Sequence, residues 1–131
     1  MDTKDAFNYL AELVRTGVPY KEKPPFNLSE GFNCFGWVMF LRNYLNNETN
    51  DIYYDINNLK TLGDNFERTD GPLKYLDMPM FYLNTIEPRH IGLMLDNQYL
   101  TQCSYSTNGV SIANINNQPW KCLLKGAYRH K

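Results

Sequence analysis

The feature that most constrains this fold is an apolar helical segment that begins directly after a turn. The segment runs from about Cys34 to Asn46, and apolar residues occupy most of its faces. A helix that is apolar on most sides is buried, so we expect this one to be the central element of the core. The turn-rich approach, residues 28–32, ends just before Cys34, which predicts that the cysteine lies at or near the helix N-terminus.

The rest of the chain predicts helices first and strands afterwards. Asp2 or Thr3 can cap a first helix, which Gly17-Val18-Pro19 ends. Residues 51–75 show the weakest secondary-structure pattern, and they contain a candidate short helix from Ile56 to Phe66. This order predicts an α+β fold, with N-terminal helices packed on an antiparallel sheet in a single domain over residues 1–131. The candidate strands are Met78–Leu83, His90–Leu95, Tyr99–Cys103, Gly109–Ile112 and Leu123–Arg129.

Charge and composition exclude several classes of protein. The formal net charge is −1, which gives no sign of a nucleic-acid-binding surface. We expect no membrane span, since no apolar stretch is long enough, and synthesis in the cytoplasm, since the polar N-terminus lacks a signal-peptide layout. The three cysteines cannot all pair, and their spacing is not that of a zinc site. We therefore expect reduced thiols and no metal.

Cys34 is a candidate nucleophile because of its place in the helix. Unpaired backbone N–H groups and the positive end of the helix dipole favour a thiolate, the reactive form of cysteine. Taken alone, a cysteine on a core helix is more often a small buried hydrophobe, so the hypothesis needs a base. Of the two histidines, His130 lies at the C-terminus, whereas His90 opens an apolar run that predicts a buried strand. His90 is therefore the candidate base.

Gln102 can orient His90 only if both side chains lie on one face of the sheet. Side chains alternate along strands, so the hairpin loop decides this. A three-residue loop, Asp96-Asn97-Gln98, places His90 and Gln102 diagonally on one face, with Asn97 as the left-handed residue. A two-residue loop would put His90 on the other face, and Gln102 would then be an ordinary strand residue. The mechanism requires the longer loop or a bulge.

These residues resemble motifs of the NlpC/P60 family of cell-wall cysteine peptidases. That family carries an Asp-Cys-Ser-Gly-type motif at the start of the catalytic helix, a His-Val-Gly-Ile-type strand, and a third polar residue, usually histidine. The counterparts here are Asn33-Cys34-Phe35-Gly36, His90-Ile91-Gly92-Leu93 and Gln102. Val18-Pro19-Tyr20 matches the family's upstream tyrosine, and the resemblance extends over roughly residues 5–129. The aromatic residues beside Cys34 are more like those of the phage-encoded branch.

The resemblance implies a papain-like fold and a function. Cys34 would attack an amide carbonyl, His90 would carry the proton, Gln102 would orient His90, and Tyr20 would donate its hydroxyl towards the substrate. The implied substrate is the stem peptide of bacterial peptidoglycan, and no cofactor is needed. A chain without a signal peptide could reach the bacterial cell wall as part of a phage tail. Phage tail proteins would then be its partners. The alternatives are a thiol acyltransferase on the same fold and a tail or assembly subunit whose site has decayed.

Overall fold

The computed structural model describes residues 3–47, 66–82 and 89–130. The candidate helix over residues 56–66 lies outside these residues, except for Phe66, which instead begins a strand. In the described part of the chain there are three helices: α1 (Thr3–Thr16), α2 (Cys34–Asn46) and α3 (Trp120–Leu123). The same residues form seven strands: β1 (Phe66–Thr69), β2 (Met78–Phe81), β3 (His90–Ile91), β4 (Leu93–Met94), β5 (Tyr99–Ser104), β6 (Gly109–Asn114) and β7 (Leu124–His130).

Helix α2 is the central element, as its composition predicts. Asn33 caps it, because the Asn33 side chain accepts a hydrogen bond from the Gly36 N–H at 2.7 Å. The helix ends at Asn47, which adopts the left-handed conformation that commonly terminates helices. Between these caps Trp37 is fully buried, and its indole N–H donates to the Thr101 hydroxyl oxygen at 3.1 Å. The hydrogen bond fixes α2 against β5.

The strands form two antiparallel sheets, so the fold is α+β as predicted. One sheet has the order β1-β7-β2-β3 and the other the order β4-β5-β6. The single strand predicted over residues 90–95 is divided at Gly92, with β3 in the first sheet and β4 in the second. A Cβ atom at Gly92 would lie 2.9 Å from a methyl group of Leu100 and 3.2 Å from the Thr101 carbonyl oxygen. Glycine therefore allows the chain to pass closely from one sheet to the next.

Alternating residues of these strands face two separate apolar clusters. Ile91, Leu93 and Cys103 belong to the cluster that contains the buried side chains of α2, and we call their side the α2 face. Met94 and Leu100 belong to a smaller cluster with Phe81, against which α3 packs, and we call this side the α3 face. Since neighbouring residues on a strand point to opposite sides, the assignment of each face follows from the strand register.

A partly buried ion pair joins the end of β7 to the residue before β2. Asp77 is 1% exposed, and its two carboxylate oxygens accept hydrogen bonds from Arg129 at 2.8 and 2.6 Å. The Asp77 carboxylate also accepts from the Lys74 N–H at 2.8 Å. The hydrogen bond that Arg129 donates to Asp77 raises the pKa of Arg129 above its ordinary value. In the residues described, no helix has both the length and the apolar character needed to cross a membrane.

Candidate active site

Cys34 is the first residue of α2, which confirms its predicted place at the helix N-terminus. Its side chain is half-buried. Residues 28–32 lead into it through Gly31, whose φ of 114° is a conformation that favours glycine. A Cβ atom at Gly31 would lie 2.2 Å from the Pro19 carbonyl oxygen, so no side chain fits there. Glycine at position 31 thus permits the close backbone contact that fixes the path of the chain into α2.

Backbone hydrogen bonds hold the chain just before Cys34 in place. The Phe32 N–H donates to the Pro19 carbonyl oxygen at 3.1 Å, and the Lys21 N–H donates to the Phe32 carbonyl oxygen at 2.9 Å. The Cys103 thiol donates to the same Phe32 oxygen at 3.0 Å. Cys103 is buried. These bonds place the α2 N-terminus beside the C-terminal end of β5.

His90 and Gln102 form a buried hydrogen-bonded pair, as predicted. The His90 Nε2 atom lies 2.7 Å from the Gln102 Oε1 atom, and the two residues are 0% and 1% exposed. The hairpin has the three-residue loop that this arrangement requires, because the Leu95 N–H donates to the Tyr99 carbonyl oxygen at 2.8 Å. Leu93 pairs with Thr101 in the register that this loop dictates.

The prediction that Asn97 adopts a left-handed conformation is wrong. In the described chain, the non-glycine residues with positive φ are Asn47, Leu76 and Asn108. The turn is instead stabilised by Asp96, whose Oδ1 atom accepts from the N–H groups of Gln98 and Tyr99, both at 2.7 Å. An aspartate that bonds to the backbone two residues on provides the turn, so no left-handed residue is needed.

The Gln102 contact determines the role of each nitrogen of His90. An amide oxygen only accepts hydrogen bonds, so Nε2 must carry the proton that it donates to Oε1. In the neutral ring the lone pair is then on Nδ1. Nδ1 is therefore the atom that can take a proton from a thiol. The hydrogen bond is the one that an orienting role for Gln102 requires, and the role itself stays a prediction.

Two aromatic rings flank the imidazole on the α3 face. The ring centroid of His90 lies 6.1 Å from that of Phe81 and 6.3 Å from that of Trp120. The proximity of Trp120 to His90 depends on α3, a helix of four residues that is too short to show periodicity. No local pattern in the sequence could have found this contact.

Cys34 and His90 are each connected to the second half of β5, because Cys103 bonds to Phe32, two residues before Cys34, and Gln102 bonds to His90. Helix α2 packs on the α2 face, whereas the His90 ring contacts residues of the α3 face. The segment from His90 to Met94 contributes to both sheets. His90 and Ile91 pair with β2 in the first sheet, whereas Leu93 and Met94 pair with β5 in the second. The contact between Cys34 and His90 itself stays a prediction.

Tyr20 lies close to the start of α2 through its backbone. Tyr20 and Phe32 form an isolated parallel bridge, two residues before Cys34. The Tyr20 ring makes an edge contact with Tyr105, with centroids 5.8 Å apart. The location agrees with the position that the resemblance implies, and the role of its hydroxyl group stays a prediction.

The described residues contain three free cysteines, of which Cys103 is buried and Cys122 exposed. Within those same ranges, no group of three or more His, Cys, Asp or Glu side chains could hold a metal ion. No family model matches the chain, and no curated protein matches it either.

Proposed function

We propose that this protein is a cysteine hydrolase in which Cys34 attacks an amide carbonyl and His90 transfers the proton. The observation that carries the proposal is the buried 2.7 Å hydrogen bond between His90 and Gln102. A base oriented by a third group is one part of the usual arrangement of a cysteine nucleophile, and a cysteine at a helix N-terminus is the other. Neither the helix N-terminus nor the histidine would support the proposal alone.

The steps follow from the roles of these groups. The Cys34 sulfur forms a bond to the carbonyl carbon, and Nδ1 of His90 takes the thiol proton. The Cys34 N–H is the natural donor to the developing oxyanion, with the Tyr20 hydroxyl as the second donor. His90 then returns the proton to the leaving amine, and water hydrolyses the acyl-enzyme. Gln102 acts through His90 and is a positioning residue.

The proposed substrate is the stem peptide of bacterial peptidoglycan, cut at a γ-D-glutamyl bond to a diamino acid. This part of the proposal rests on the resemblance to NlpC/P60 peptidases, as do the papain-like fold and delivery by a phage tail. The order of elements supports it, because the cysteine helix comes first and is followed by the histidine strand and the strand of the third residue.

Digestion of purified peptidoglycan, read by mass spectrometry, tests the proposal. We expect the unchanged protein to release peptide fragments, and Cys34→Ala to release none. Cys122→Ala is the matched control, because Cys122 is also a free cysteine but is exposed and lies outside the site. Equal release by Cys34→Ala, or no release by the unchanged protein, would refute the proposal. Transfer of the peptide to an added amine in preference to water would identify an acyltransferase.

A further inference from the structure

Three rings contact one another on the α3 face: those of Phe81 and Trp120 and the imidazole of His90. The imidazole centroid lies 6.1 Å from the Phe81 centroid and 6.3 Å from the Trp120 centroid, and the latter two are 5.4 Å apart. His90 itself is fully buried. The base of the proposed mechanism is therefore covered by aromatic rings on this side of the sheet.

The backbone determines the position of both aromatic rings beside His90. Phe81 stands directly opposite His90 in the pairing of β2 with β3, so the two side chains share a face. Trp120 is placed by α3, which is joined to the end of β2 because the Tyr82 N–H donates to the Leu123 carbonyl oxygen at 3.2 Å. The Phe81 and Trp120 rings meet edge to face, at 72°, so each restricts the other.

The tilt of the rings turns part of each aromatic face towards the imidazole. The angle between the ring planes is 39° for Phe81 and 33° for Trp120, which is closer to parallel than to perpendicular. An aromatic face carries the negative part of the ring quadrupole and attracts a cation at about 6 Å from the centroid. The charge of an imidazolium is shared between its two nitrogens, so the distances between centroids apply to a protonated His90.

The proposed reaction passes through an imidazolium that Gln102 can stabilise only weakly. Burial disfavours the charged form of a histidine. In a Ser-His-Asp triad a carboxylate stabilises the imidazolium, whereas the amide of Gln102 is neutral. The charged residues that adjoin the cluster in the chain, Arg89 and Lys121, are cations and cannot replace the carboxylate. On the side of α2 the titratable group is Cys34, whose thiolate would be the counter-ion in the proposed reaction.

We propose that Phe81 and Trp120 stabilise the protonated form of His90 through their aromatic faces. Both residues act through His90, so they are positioning residues and not catalytic ones. Their contribution to turnover rests on the proposed function, in which His90 carries the thiol proton. Their effect on the charge of the imidazole does not depend on that function. Trp120 is the better residue to replace, because it is half-buried whereas Phe81 is fully buried.

A proton NMR titration of His90 tests the inference in the full chain carrying His130→Gln, which leaves a single histidine. Trp120→Leu replaces the aromatic face by an apolar side chain, and we expect the pKa of His90 to fall by about 0.5, the scale of one cation–π contact. Trp120→Phe keeps an aromatic face and should lower this pKa less. If Trp120 served only to exclude water, the smaller leucine would admit water and the pKa of His90 would rise.

Leu123→Ala is the matched control, because Leu123 packs from α3 against the same cluster but has no aromatic face. An unchanged or raised pKa of His90 in Trp120→Leu would overturn the inference. So would an equal fall in Leu123→Ala, or an imidazole that stays neutral at every pH at which the protein is folded. Phe81→Leu should lower the pKa in the same direction, and it replaces Trp120→Leu as the test if that variant does not fold.

Peptidoglycan digestion separates this inference from the proposed function. Trp120→Leu should release peptide about threefold more slowly than the unchanged protein, which is the fold-change that corresponds to the expected fall in pKa. If the unchanged protein digests no peptidoglycan while the pKa of His90 falls as expected, the proposed function is refuted and the stabilisation of the imidazolium stands.

Discussion

Replacing Gln102 by alanine tests the positioning role directly. The substitution leaves the buried Nε2–H of His90 without its 2.7 Å acceptor. A buried donor that loses its partner costs about 1–3 kcal/mol, and we expect the free energy of unfolding to fall by this amount. If the bond also orients the imidazole for proton transfer, a similar free energy is lost from the transition state. Turnover should then fall by about 5- to 150-fold.

The assay measures peptide release from peptidoglycan per folded molecule, together with the melting temperature. Gln102→His restores the residue usual in the NlpC/P60 family, and we expect it to retain turnover. Cys34→Ala and His90→Ala should lower turnover more than Gln102→Ala does, because they remove reacting groups.

Thr101→Val is the matched control for Gln102→Ala. Thr101 is the neighbouring residue on β5 and is equally buried, and its hydroxyl oxygen accepts a hydrogen bond from Trp37 on the α2 face. We expect this variant to lose stability but to keep its turnover. Equal turnover losses in both variants would mean that any loosening of β5 impairs the site. Unchanged turnover in Gln102→Ala would show that the hydrogen bond is structural only.

Three further predictions concern the start of α2 and the nucleophile. Iodoacetamide should label Cys34 faster than the more exposed Cys122, and His90→Ala should slow the labelling of Cys34 but not that of Cys122. Equal rates at both thiols would contradict activation of Cys34 by His90. Asn33→Ala should lower the free energy of unfolding by about 1 kcal/mol or more because the helix loses its cap. Asn33→Asp should lower it less, because it keeps the cap acceptor and loses only the hydrogen bond that Asn33 Nδ2 donates to the Glu22 carbonyl oxygen. Urea titration measures both variants, and equal losses would argue against the cap. Gly31→Ala should lower the melting temperature by several degrees, because the added Cβ meets a carbonyl oxygen; an unchanged melting temperature would contradict the close contact.

The parts of the fold that follow from local periodicity could be predicted from the sequence. Helix α2 has the bounds that its apolar pattern and turn signals indicated, and the hairpin loop from Asp96 to Gln98 has the length that a shared face for His90 and Gln102 demands. Both are decided within about a dozen residues. The expectation for Asn97 was wrong because either of two types of turn can connect strands across a three-residue loop. The sequence alone did not show that the Asp96 side chain would stabilise the type without a left-handed residue.

Features that depend on distant contacts could not be predicted. Strand β1 is four residues long, and three of them are at least partly exposed, so Phe66–Thr69 shows little apolar pattern until it pairs with β7. The break at Gly92 reflects close packing against Leu100, which lies on another strand. The register shift between β2 and β7 also depends on the pairing of two distant strands, so it had no signal in the sequence.

The hydrogen bond between His90 and Gln102 also joins the two sheets. His90 belongs to the sheet that contains β2, and Gln102 belongs to the sheet that contains β6. Any tilt of one sheet relative to the other would change the distance between these two side chains. A ligand that shifts β2 or β7 would therefore alter the alignment of the imidazole without touching it. If His90 activates Cys34 as proposed, a change in the angle between the sheets would also change the reactivity of the thiol.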